Sequence, residues 1–151
     1  TEKVSSEEIK RFRDLCSTVS SHLIYPSNNV DGKRNINAAR GMINKINDRF
    51  DLTLECIRRY YLNEDSPLKE TFIRYSDFFS LFKNFKGYID FFLLQDLVSE
   101  NYNMVNFYLP FDNFKRSSIP LNLEEYISYK KKVLNFVAAR SKRINSYSLS
   151  L

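Results

Sequence analysis

The chain has no Trp, and among its 151 residues are only 3 Gly, 4 Pro, 2 Cys and 1 His. So little Gly and Pro leaves few of the turns that a many-stranded sandwich or barrel needs, and favours helices. Two Cys and one His cannot build a structural zinc site unaided. Cys16 and Cys56 both fall where a helical apolar face takes a small hydrophobe. They read as free buried thiols of a reducing compartment rather than as a disulfide. No apolar run exceeds that of Phe91–Leu94, far short of the roughly 20 residues that cross a bilayer. The opening "TEKVSSEEIKRFRD" lacks the apolar core of a secretory signal. A cytoplasmic protein with no membrane contact, no metal and no cofactor is expected.

What is present suits one soluble domain. The chain is 43% hydrophobic and 27% charged, and residues 1–151 read as a single helical domain. A chain of this size buries roughly two thirds of its unfolded surface and needs no covalent staple. The net charge of +5 permits an anionic partner without requiring one. How the basic residues are distributed therefore matters more than their sum.

Helical spacing recurs along the chain. "SSEE" at Ser5–Glu8 has the form of a capping box, and Ile9, Phe12, Cys16 and Val19 continue it to about Ser20. "HLIYP" is a short β-prone run, and "SNNVDGKRN" is turn chemistry. Ile36, Ala39, Ile43, Ile46, Phe50, Leu54, Ile57 and Tyr61 step by three and four. Whether residues 36–61 form one helix or two stays open, with Asn47–Asp48 the natural break. Ser66 and Pro67 open a helix running to about Lys83. "YIDFFLLQDLV", Tyr88 to Val98, is apolar nearly all round and reads as the central buried helix, its Asp90 and Gln95 needing partners. "NMVNFYLPFDNF" reads equally as a short helix or a strand. Leu123 to about Arg143 is the last helix.

Three charged clusters stand out. In "DRFDLTLECIRRYY", Asp51 and Glu55 are four residues apart, on a face shared with Arg58 or Arg59. Two carboxylates so spaced suit a divalent cation or an acid–base pair. The same spacing also suits ion pairs such as Glu55–Arg59, and that is the favoured reading. "DGKRNINAARG" places Lys33, Arg34 and Arg40 around a turn entering a helix, an arrangement fit for anions or for plain solvation. It has no P-loop or dinucleotide glycine pattern. From Tyr126 to Ile144 the last helix carries Lys130, Lys131, Lys132, Arg140, Lys142 and Arg143 with no acid between. Helix-dipole complementarity accounts for Arg140–Arg143 but poorly for Lys130–Lys132. His22 lies in no nucleophile motif, and the aromatics from Phe72 to Phe92, at helical spacing, read as core.

The run from "DRFDLTLECIRRYY" through "SPLKETFIRYSDFFSLFKNFKGYIDFFLLQDLV" to "PFDNF" resembles the C-terminal half of a bacterial protein family of uncharacterised function. The similarity extends from about "YPSNNVDGKRNINAARG" to "ARSKRI". The resemblance implies no activity, cofactor or catalytic residue. It places Arg40, Arg49, Asp51, Glu55, Arg58, Asp90 and Gln95 at family-like positions. It also implies that a long N-terminal half of the family is replaced here by a helix around Ile9 to Val19.

The expected fold is thus mainly α, a compact bundle of five or six helices around a buried central helix, with at most one short β-strand pair at "HLIY". The leading functional expectation is a basic helical binding module engaging an acidic protein surface or nucleic acid. A small inhibitor of a nucleic-acid-handling complex would fit that description. Its contacts would be Lys33, Arg34, Arg40, Arg58, Lys130, Lys131 and Lys132. The alternative is a small-anion binder or enzyme with a carboxylate–arginine pocket of Asp51, Glu55, Arg58 and Asp90, the three acids being its candidate catalytic groups.

Overall fold

The computed structural model describes residues 5–151, apart from the side chain of Cys16. The sequence reading of that side chain therefore lies outside the described residues. Within them the chain forms α1 (Ser6–Cys16), α2 (Ile36–Met42), α3 (Phe50–Tyr61), α4 (Lys69–Ile73), α5 (Ser76–Ser80), α6 (Phe85–Phe92) and α7 (Leu123–Leu149). Short 3₁₀ turns occur at Val19–Ser21 and Gln95–Leu97. The mainly helical architecture expected from sequence is the one found.

Local chemistry explains most starts. Ser5 Oγ accepts from the Glu8 N–H (3.1 Å), Asn35 Oδ1 from Ala38 (2.9 Å), Asn84 Oδ1 from Gly87 (2.8 Å) and Asn122 Oδ1 from Glu125 (2.9 Å). Each satisfies an orphan donor of a first helical turn. Gly87 is required sterically: a Cβ there would lie 2.0 Å from the Phe82 carbonyl oxygen.

Several boundaries differ from the sequence pattern. Residues 36–61 form two helices, α2 and α3. Asn47 (φ 49°) and Asp48 (φ 59°) between them take the left-handed backbone that their short polar side chains tolerate. The helix expected from Ser66 to Lys83 starts at Lys69 and is split into α4 and α5 around Tyr75. "HLIY" pairs with no strand; the only β-contacts among the described residues are isolated bridges, Val30 with Lys33 and Val98 with Val105. Nor is Tyr88–Val98 one central helix. α6 stops where Leu93 turns left-handed (φ 55°), and Phe91 is 70% exposed. The element buried along its length is α3, where every residue from Asp51 to Ile57 is inside.

Around α3, Phe72, Phe79, Phe82, Tyr88 and Phe92 form a continuous aromatic cluster, with ring centroids from 4.7 to 6.2 Å apart. Such tilted and edge-on contacts add to the burial of apolar area. On the other flank α7 is held by one buried cation. Arg140 is 5% exposed; its Nη1 donates to the carbonyls of Ser20 (2.9 Å) and His22 (2.7 Å), and Nε and Nη2 to that of Phe92 (3.2 and 2.9 Å). Its guanidinium lies over the Phe50 ring. No carboxylate pairs with it among the described residues, so burial lowers its pKa. The end carbonyls of α6 and of the first 3₁₀ turn, the negative ends of their peptide dipoles, take the place of a counter-ion.

Two outcomes are expected. Arg140→Ala, which strands three carbonyls, loses about 3 kcal/mol in urea unfolding at unchanged slope. Arg140→Lys recovers only part of this, because one ammonium cannot span both sides. Cys56 is fully buried on α3 and burial pushes its thiol up from 9.0 to about 12. The folded thiol keeps its proton where the unfolded one has lost it, so this group makes stability fall as pH rises from 9.0 toward about 12. In a Cys16→Ser chain at pH 8, a thiol reagent should label Cys56 only at the rate of unfolding; labelling as fast as a free thiol would contradict this burial.

Candidate functional site

Of the carboxylates in "DRFDLTLECIRRYY", Asp51 and Glu55 lie inside and are hydrogen-bonded, while Asp48 is exposed. Asp51 Oδ1 accepts from Arg49 Nε (3.0 Å); its Oδ2 accepts from Arg49 Nη2 (2.5 Å) and the Tyr108 N–H (2.8 Å). Arg49 Nη1 continues to the Ser118 carbonyl (2.9 Å), so the pair ties the start of α3 to the long 93–122 connection. Glu55 Oε2 accepts from Arg58 Nε (2.8 Å), and Oε1 from Arg58 Nη2 (3.0 Å) and Arg59 Nε (2.8 Å). Arg58 also faces Glu64 at 3.5 Å. Arg59 reaches Asn113 Oδ1 (2.6 Å) and packs over Phe114. Every oxygen of both acids accepts at least one N–H, so both carboxylates serve as structural acceptors.

Asp90 is elsewhere. It accepts from Lys86, Gln95 (3.1 Å) and Tyr102 (3.1 Å) and shares no partner with Asp51 or Glu55. Burial alone would raise its pKa; the hydrogen bonds, that from Lys86 foremost, outweigh it and hold the carboxyl below the ordinary range. The convergence that a carboxylate–arginine pocket requires is therefore missing. No group of three or more His, Cys, Asp and Glu among the described residues is placed to hold a metal ion.

The basic contacts singled out by sequence separate into five places, Arg58 being the one on Glu55 described above. Arg40 is a correction: it is only 9% exposed, donating through Nε to Thr53 Oγ1 (2.9 Å) and through Nη2 to the Asp48 carbonyl (3.1 Å), with Tyr25 beneath it. Helical spacing put it near Lys33 and Arg34 but could not show that its face turns inward. Lys33 and Arg34 are exposed and line a cavity of about 440 Å³ between the 30–34 turn, α2 and α4, joined there by Arg74. Lys130 pairs with Glu8 of α1 (2.5 Å), and Lys130 and Lys131 line a groove of about 610 Å³ between α1 and the first half of α7. Lys132 faces another side, donating to the Phe107 carbonyl at 3.4 Å. The three consecutive lysines thus do not form one face.

The α1–α7 groove contains residues that sequence reasoning missed. Its wall is the row Leu123, Tyr126, Ile127 and Leu134, with Arg11 on the opposite rim. Leu123 is 70% exposed, Tyr126 47% and Ile127 46%. α7 carries two apolar stripes about a quarter turn apart: this one, and Tyr129, Val133, Phe136 and Val137, which meets the core. A second stripe left in solvent marks an interaction surface more often than an isolated apolar side chain does. The double periodicity was the available signal.

The molecule is thus a helical protein whose buried arginines are held by carboxylates or by carbonyls, with cationic side chains at the rims of the α1–α7 groove and of the cavity between α2 and α4. A family model described as a family of unknown function (DUF6994) matches residues 1–144, and the chain belongs to that family. The match begins upstream of the "YPSNNVDGKRN" stretch where the quoted motifs begin, and includes α1. No curated protein and no solved structure matches the chain. No helix among the described residues is long and apolar enough to cross a membrane.

Asp51→Asn is expected to cost about 3 kcal/mol or more, because it leaves Arg49 buried without a counter-ion. The chemical-denaturation midpoint reads this directly. A variant as stable as the parent would show that the pair is dispensable.

Proposed function

We propose that this protein is a binding module that docks an acidic protein surface in the α1–α7 groove. The observation carrying this reading is the solvent-exposed row Leu123, Tyr126 and Ile127 on α7, bordered by Arg11 and Lys131. A partner that places apolar side chains on that row and acids beside Arg11 and Lys131 matches it in both hydrophobicity and charge. Tyr126 is an anchor of the kind that dominates interface energetics. The apolar content favours a protein over nucleic acid, since a phosphate backbone gains nothing from Leu123 or Ile127. The splitting of Lys130, Lys131 and Lys132 also argues against a tracked backbone, which needs cations in a row. Bacterial origin and a reducing cytoplasm belong to the same proposal, supported by the motif resemblance and by the free thiol of Cys56.

Affinity capture from lysate of the source cell, with and without nuclease, is the test. A protein should be retained through nuclease treatment by the parent chain. Its purified form should bind Tyr126→Ala and Lys131→Glu at least about tenfold more weakly, with melting temperatures unchanged. Capture abolished by nuclease would favour nucleic acid instead. Binding unaltered in both variants would remove the groove from the function.

A further inference from the structure

We infer that the cavity between the 30–34 turn, α2 and α4 is a binding site for a phosphate monoester, independent of the α1–α7 groove. Three cationic side chains, Lys33, Arg34 and Arg74, line it, and no carboxylate does among the described residues. That separates it from the other arginine clusters. Arg49, Arg58, Arg59, Arg116 and Arg143 each have a carboxylate at 2.5 to 2.9 Å. Here the positive charge is left uncompensated.

The site is also partly preorganised. Arg74 Nη1 donates to the Glu70 carbonyl (3.0 Å) and Nη2 to the Arg34 backbone carbonyl (3.1 Å). These bonds hold the guanidinium at the rim without neutralising it, and Arg74 Nε is buried with no hydrogen-bond partner among the described residues. The Lys33 and Arg34 side chains have no hydrogen-bond or ion-pair partner among the described residues, so nothing must be broken before they close on a ligand. Gly32, at φ 66° in the tight turn bridged by Val30 and Lys33, leaves the mouth open. Thr71 also lines the cavity.

The charge count selects the ligand class. A carboxylate brings one negative charge and two oxygens; a phosphate monoester brings about 1.5 to 2 charges and three acceptor oxygens. Three cations approaching from two segments suit the second. The floor of Ala39, Met42 and Ile43 is apolar, and Met42 is 63% exposed. That floor suits the carbon body of an ester better than inorganic phosphate.

The test is a titration of the full ¹⁵N-labelled chain with phenyl phosphate, inorganic phosphate and benzoate at constant ionic strength, followed by amide shifts. Phenyl phosphate should give saturable shifts at residues 30–34 and 69–74; inorganic phosphate should bind more weakly and benzoate not saturably. Lys33→Gln and Arg34→Gln should each weaken phenyl phosphate at least tenfold, while Lys142→Gln, an exposed cation elsewhere, changes nothing. Neither cavity variant disturbs the seat of Arg74, which rests on the Arg34 backbone, so loss of binding is separable from misfolding. Shifts spread over all exposed cations, benzoate binding equally well, or cavity variants indistinguishable from the parent would overturn the site. Inorganic phosphate binding as tightly as the ester would overturn the role of the apolar floor. Glycerol phosphate and a phosphoserine peptide then separate the sources: tighter binding by either supports the site and names the source, and failure of both overturns it.

Discussion

Two carboxylates sit in the middle of this protein, and the placement of much of the chain follows from giving them partners. Asp51 is fully buried and Glu55 is 3% exposed on α3, where an unpaired charge would be prohibitive. Arg49, Arg58 and Arg59 answer them from the same helix or the residue before it, so the charges cancel locally. The arginines then have donors to spare. These reach outward to the Ser118 carbonyl and Asn113, and so position the long connection between α6 and α7, and to the Asp65 carbonyl in the turn after α3. That connection has little regular structure of its own. It is held by polar side chains from α3 and by the Tyr108 N–H on Asp51 rather than by a strand ladder.

Arg140 solves the opposite problem. It is a buried cation with no acid beside it, and it is satisfied by carbonyls at the ends of two other elements. Because a guanidinium donates in several directions within one plane, one residue can join α7, the first 3₁₀ turn and α6. The fold thus uses arginine as a structural connector at three buried positions, Arg40, Arg49 and Arg140. The net charge of +5 therefore overstates what is available for a partner. Cationic side chains border both surfaces proposed for recognition: Arg11 and Lys131 beside an apolar row, and Lys33, Arg34 and Arg74 around a small pocket.

The two surfaces differ in the chemistry they offer. The α1–α7 groove is largely apolar and its Lys130 is already paired with Glu8, so its affinity would rest on buried area and a few edge charges. The α2–α4 cavity is smaller and its charge is unopposed, so its affinity would rest on charge-assisted hydrogen bonds. The carboxylates that first drew notice belong to neither. Membership in a family of unknown function adds no chemistry of its own.

How much could be read in advance divides along a physical line. The sequence by itself determined what depends on neighbours within a turn or two: the helical class, the caps at Ser5 and the ion pair of Glu55 with Arg59. It also pointed to most of the aromatic residues from Phe72 to Phe92 as core, Phe91 being the exception at 70% exposed, since spacing and side-chain chemistry act over those distances. It did not determine which helix would be central, because Tyr88–Val98 is the more apolar segment while α3 is the more buried one. Only tertiary structure decided that Arg40 turns inward, that Lys130, Lys131 and Lys132 part company, and that Arg74 joins Lys33 and Arg34 across 40 residues of chain. It also decided which of the two apolar stripes on α7 meets the core. A local pattern encodes the period of an element, but not which of its faces another element will cover.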